Sequence, residues 1–220
     1  MNNRAGISLS FLALAILLAL SGCKNTYYSA WEKLGYHKRD ILVERVQKAR
    51  DGQEAVKTQF QTTLQRFKEV TGFKGGDLED KYNELNSDYE KCEARADAVK
   101  KQIASVESVA GDLFKEWEGE LDQYQSAELK KESADELQAT KERYGQLLAT
   151  MKKAESKMTP VLAAFHDQVL FLKHNLNARA IASLEGTTVT LQGDVDKLIA
   201  DMQKSIDESN KFIADMKSPG

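Results

Sequence analysis

Residues 78–124 carry one seam: Leu78, Tyr82, Leu85, Tyr89, Cys92, Ala96, Val99, Ile103, Val106, Ala110, Leu113, Trp117, Glu120 and Tyr124 follow one another in alternating steps of four and three, all but Glu120 apolar or aromatic. A repeat averaging 3.5 residues keeps one stripe against a partner helix only when the helices wind around each other with a left-handed twist. Proline occurs only at Pro160 and Pro219, and the glycines cluster instead of punctuating, so turn signals are too sparse for an all-β or α/β chain. The chain reads as a few very long helices.

The segment before the seam repeats its spacing at Leu42, Val46, Ala49, Gln53, Val56, Phe60, Thr63, Phe67 and Val70, with Gln53 and Thr63 as polar interruptions. It ends at Thr71-Gly72-Phe73-Lys74-Gly75-Gly76, where the glycines can take positive φ to close one helix and Asp77 can cap the next. So short a loop predicts two antiparallel helices. A third pattern recurs every seven residues through Leu137, Tyr144, Met151, Met158, Phe165 and Leu172, and residues 161–172 are apolar on nearly every face, as in a helix enclosed by neighbours. Pro160 falls inside this run and is expected to kink a continuous helix rather than start a new one capped by Thr159. The polar residues 125–133 are expected to join the second and third patterns. Residues 184–188 are expected to join the third to a last helix bearing Leu191, Val195, Leu198, Met202, Ser205, Ser209, Phe212 and Met216.

The lengths are unequal, at ~70 Å or more for the middle two helices and ~45 to ~50 Å for the outer two. Counting back from the glycine-rich turn sets Leu42 level with about Val106 to Ala110. That leaves about 111–145 as a bare helical hairpin, in which Gly111, Gly119 and Gly145 invite bending. The expected fold is all-α: an elongated antiparallel four-helix bundle with a projecting two-helix coiled-coil hairpin, formed by residues 38–217 as a single domain.

Ahead of this domain, Arg4 precedes an apolar run over residues 7–20 that ends in Ser21-Gly22. This is the pattern of a secretory signal peptide, and the run is shorter than the ~20 apolar residues a spanning helix needs. Leu20-Ser21-Gly22-Cys23 resembles the lipobox of bacterial lipoproteins, which implies cleavage before Cys23, a thioether-linked diacylglycerol on that cysteine and an acyl group on its amine. Several such chains hold a protein where one binds only marginally. Lys24 resembles the pattern sorted to the outer membrane, which points to its periplasmic face. Residues 1–22 thus read as signal peptide and 23–37 as a lipid-anchored linker. Within it, Tyr27, Tyr28 and Trp31 suit a membrane–water interface; equally, Trp31 and Leu34 could cover one end of the bundle.

Removal of residues 1–22 takes away one charge, Arg4, and leaves 30 Lys+Arg against 34 Asp+Glu, a net charge of −4. The basic footprint of a nucleic-acid-binding protein is missing. Besides Cys23 there is one thiol, Cys92, which is expected to be either buried and inert or a bridge between chains. His166 and His174 lie ~80° apart on a helix and match no metal motif, so they read as polar-face histidines. Asp77-Leu78-Glu79-Asp80 lacks the glycine of a calcium loop and the lysine of a phosphate loop, and reads as a helix cap. No nucleophile elbow or singled-out carboxylate pair is present. The sequence therefore suggests no catalytic residue, cofactor or metal.

Trp117 and Tyr124 lie near the expected hairpin tip, either as anchors for a partner or packed between the two hairpin helices. Residues 27–67, YYSAWEKLGYHKRDILVERVQKARDGQEAVKTQFQTTLQRF, with the turn GFKGGDLEDKYNELN, resemble a family of uncharacterised Gram-negative helical lipoproteins classed only as a domain of unknown function. That resemblance implies an envelope address and a helical fold, and it brings no site residues. The expectation is a non-enzymatic cell-envelope lipoprotein, held to a membrane by its lipid. It would act as a coiled-coil scaffold or tether for a protein partner or for self-association. The alternative is a lipid-binding helical protein that remodels on membranes.

Overall fold

The computed structural model of the protein describes residues 38–72 and 77–217, which form four α-helices and, among the described residues, no strand. They are α1 (Lys38–Thr71), α2 (Leu78–Leu121), α3 (Ala127–His174) and α4 (Ala178–Lys217), of 34, 44, 48 and 40 residues. At 1.5 Å per residue these are about 51, 66, 72 and 60 Å long. Leu42–Gly220 is one compact unit. The expected signal peptide, Cys23, Tyr27, Tyr28 and Trp31 lie outside the described residues.

The chain folds as a helical bundle, and its register can be followed from cross-helix contacts. Arg95 of α2 donates to the Ala55 carbonyl of α1 at 2.9 Å and Arg66 pairs with Glu84 at 3.1 Å, so α1 and α2 are antiparallel. Lys152 pairs with Glu107 at 2.8 Å across α3 and α2, and Lys153 with Asp201 at 2.8 Å across α3 and α4. Arg50 donates to Asn210 at 3.0 Å, which closes the ring between α1 and α4. The two central phenylalanines of α1 meet α3 in the core. Phe60 and Phe67 place their rings 6.4 and 6.5 Å from that of Phe165, and all three are fully buried.

The 3.5-residue seam of α2 is buried at each of its positions from Leu85 to Leu113. The third pattern is buried at Leu137, Met151, Met158, Phe165 and Leu172. Asp77 caps α2 as expected, its carboxylate accepting from the amides of Glu79 at 2.9 Å and Asp80 at 3.3 Å. At the end of α1, Gly72 stays outside the left-handed region, and its amide donates to the Lys68 carbonyl at 3.0 Å. The close approach of α1 and α2 instead falls at Gly52, where a Cβ would stand 3.2 Å from the Val99 side chain and run into the Gln102 amide.

Two expected joints are misplaced. Residues 127–133 are helical, not a linker: α2 stops with Asp122 as C-cap, and Ser126 opens α3 by accepting from the Leu129 amide at 3.3 Å. Their polarity reflects solvent on the hairpin rather than a turn. Residues 184–188 are helical as well. The break falls at residues 175–177, where Asn175 donates its side-chain amide to the Phe171 carbonyl at 2.9 Å and Asn177 accepts from the Ile181 amide at 3.2 Å. The last helix therefore starts earlier and is longer than expected, because buried Ile181 and Leu184 extend its stripe upstream of Leu191. Gly186 costs about 1 kcal/mol there without ending the helix.

Pro160 sits inside α3, which is continuous through it. Proline deprives the carbonyl four residues earlier of its helical donor. That residue is Ser156, and both it and Pro160 are exposed, so water can take the freed acceptor.

Candidate functional site

α1 and α4 stop short of the turn between α2 and α3. The register that sets Arg66 against Glu84 and Ala55 against Arg95 brings Leu42 level with Ser108. Asp201, held by both Lys153 and Lys157, puts Lys217 opposite residues 137–141 of α3. Beyond those levels no other described helix accompanies α2 and α3, and between Phe114 and Leu137 no residue is buried.

Regular local chemistry keeps this hairpin helical. Phe114 and Tyr144 meet edge to face with ring centres 5.4 Å apart, and the Lys141 ammonium lies 5.7 Å from the Phe114 ring centre. Burial, helped by the charge of Glu107, pushes the Tyr144 phenol up to about 12. Further out, the Trp117 indole N–H donates to Ser133 Oγ at 2.8 Å. Lys141 pairs with Glu118 across the hairpin, and Lys130 with Asp122 at 2.9 Å across its end. Residues 115–136 hold eight carboxylates and three lysines, a net charge of −5 where the whole chain has −3.

The two expected tip aromatics have different situations. Trp117 is half-buried and engaged with α3, whereas Tyr124 lies in the connecting loop and is 41% exposed. Glu120, the break in the seam, is exposed. Leu129 is 53% exposed and was hidden by its polar surroundings in the sequence. A second exposed apolar group, Leu170, Phe171 and Leu176, surrounds the α3–α4 turn at the opposite end of the bundle.

The remaining candidates differ in burial. Cys92 is fully buried, and burial pushes its thiol up to about 12. Such a group is a poor nucleophile, because the thiolate is the reactive form. His166 is exposed, its ring 5.7 Å from that of Tyr89. Among the described residues no cluster of His, Cys, Asp or Glu could hold a metal ion, and no helix is long and apolar enough to cross a membrane. An open groove of about 370 Å³ between α2 and α3 is lined by Lys100, Lys152 and Glu155 around Met158. The arrangement presents helical surface: a capped hairpin that neither of the other two described helices covers, carrying the exposed side chains of Tyr124 and Leu129.

A family model described as "Protein of unknown function (DUF2959)" matches residues 27–216. The chain belongs to this family. The family match starts four residues after Cys23 and ends one residue before α4 does, so it spans the whole helical bundle. Neither the curated proteins nor the solved structures contain a match.

Proposed function

We propose that this family member is a non-enzymatic lipoprotein of the bacterial cell envelope. Lipid on Cys23 would anchor it, on the periplasmic face of the outer membrane, and its bundle would serve as a scaffold or tether that holds a protein partner or a second copy. The supports for the anchor are Leu20-Ser21-Gly22-Cys23 with the apolar run before it, and a family match that begins just beyond that point.

The observation that carries the tethering role is the hairpin itself. Residues 115–121 and 127–136 are helical, with caps and cross-hairpin bonds, yet none of residues 115–136 is buried, and Tyr124 in the connecting loop and Leu129 stand exposed at the hairpin's end. Exposed aromatic side chains such as Tyr124 are frequent anchors of protein interfaces, and an exposed Leu129 beside it adds apolar area to bury.

Two measurements test the reading. The mass of the mature N-terminal peptide reports cleavage before Cys23 and its acylation; an unmodified terminus removes the anchor. A photo-cross-linking residue at Leu129 in intact envelopes should trap one defined protein, this chain or another. A spread of random neighbours removes the tether.

A further inference from the structure

The register between α1 and α2 joins opposite charges along one part of their seam and sets like charges together along another. Near the end of α1, Arg66 meets Glu84 at 3.1 Å and Asp88 at 3.3 Å on α2. Lys81 and Lys91 join the same two carboxylates. Further along, the same register sets Arg45 and Lys48 of α1 opposite residues 101–105 of α2, where the charged side chain is Lys101. Cation faces cation there.

Arg45, Lys48, Lys101, Gln102 and Ser105 line an open cleft of about 150 Å³, to which no carboxylate contributes. Lys48 pairs with Glu44 at 2.6 Å, so the group of Arg45, Lys48, Lys101 and Glu44 carries three positive charges and one negative, an excess of +2 in a chain of −3. Lys101 makes no ion pair among the described residues, and the side chains of Gln102 and Ser105 make no hydrogen bond among them. Gln102 Oε1 is turned in toward Gly52, whose missing Cβ leaves it room, and Nε2 is the end of that amide left to donate.

The cleft therefore gathers a guanidinium, two ammonium groups, an amide NH2 and a hydroxyl, all of them donors. Like charges a turn apart on one helix, or facing each other across a seam, oppose folding until a counter-charge joins them. An oxyanion of phosphate type accepts several charge-assisted bonds at once, and a phosphate monoester carries close to two negative charges at neutral pH, which matches the excess.

We infer that this cleft binds a phosphate monoester group, either inorganic phosphate or the terminal phosphate of a lipid headgroup. Arg45 and Lys101 grip it from the two helices, Ser105 and Gln102 orient it, and Lys48 turns to it from Glu44. The site lies on the α1–α2 seam and depends neither on lipid at Cys23 nor on a partner at the hairpin tip.

The test is equilibrium dialysis of the full chain against radiolabelled inorganic phosphate at pH 7.5 in chloride buffer, with dihexanoyl phosphatidic acid as a soluble lipid competitor. One equivalent of phosphate should bind, with Kd at or below about 1 mM. Lys101→Gln should weaken binding about tenfold or more, while Lys91→Gln, on α2 but outside the cleft, should leave it unchanged. Lys101→Glu supplies the missing counter-charge, so it should melt above the wild type in phosphate-free buffer and bind no phosphate. Competition by the lipid at least about tenfold stronger than by unlabelled phosphate assigns the headgroup as the source, and equal competition assigns free phosphate. The inference is overturned if neither compound binds at 1 mM, if Lys91→Gln weakens binding as much as Lys101→Gln, or if Lys101→Glu still binds phosphate.

Discussion

Trp117 on α2 donates its indole N–H to Ser133 Oγ on α3 at 2.8 Å, a bond across the hairpin and one turn or more inside its tip. Tyr124 and Leu129 lie outside that bond, exposed by 41% and 53%. The two kinds of residue should separate in mutants. Tyr124→Ala and Leu129→Ala should each change unfolding free energy in urea by no more than about 0.5 kcal/mol, as expected of surface positions, and Tyr124→Ala should abolish the specific cross-link made from position 129 in envelopes. Trp117→Phe should instead cost about 1 kcal/mol through the lost hydrogen bond.

Phe165 ties α3 to α1 in the core, fully buried with its ring against those of Phe60 and Phe67. Phe165→Ala should destabilise by about 3–5 kcal/mol, the lost transfer energy plus the cavity left behind. Urea unfolding followed by circular dichroism reads this as a fall in midpoint. A loss no larger than that of a surface substitution would mean that α1 and α3 do not meet there.

Gly111 and Gly119 are exposed in the interior of α2, and a Cβ at either would meet nothing within 4 Å. Gly111→Ala and Gly119→Ala should each therefore stabilise by up to about 1 kcal/mol, seen as a higher melting temperature. Gly52→Ala should do worse than either, because its methyl must displace the Gln102 amide and press on Val99. If all three raise the melting temperature equally, the close approach of α1 and α2 at Gly52 is absent.

Most of the bundle was legible because its helices obey one periodicity. The positions Leu85 to Leu113 named the buried face of α2 residue by residue, and Asp77 named its start. The joints were less legible because polarity and glycine have more than one cause. Residues 127–133 are polar because none of them is buried, and Gly186 is tolerated at an exposed point of α4. The true α3–α4 break was marked by asparagine, at Asn175 and Asn177, whose side chains and carbonyls close helix ends as well as glycine does. For the candidate site, Tyr124 could be read from the sequence, but Leu129 could not. Its exposure depends on where α1 and α4 end, a three-dimensional register that no local pattern contains. That the polar interruptions Gln53 and Ser205 would face each other likewise follows only from the packing of α1 on α4.

Asp201 gives the α3–α4 edge a pH dependence whose sign can be worked out. Its side chain is 12% exposed, pairs with Lys153 at 2.8 Å and also contacts Lys157. Hydrogen bonding from Lys153 and then Lys157 holds its carboxyl below the ordinary aspartate range, outweighing the opposing effect of burial. A group with a lowered folded-state pKa contributes its full stabilisation above its unfolded pKa, about 3.9, and loses it as pH falls through the folded value. Lys153 is 59% and Lys157 39% exposed, so solvent screening limits the contribution to about 1 kcal/mol. Asp201→Asn should therefore unfold more easily than wild type at pH 7 by about that amount, and the gap should stay constant down to about pH 4 and then close with further acidification. Urea midpoints of the two proteins between pH 7 and pH 2.5 give the measurement. A gap that persists unchanged at the lowest pH would show that the aspartate stabilises through shape and packing and not through its charge.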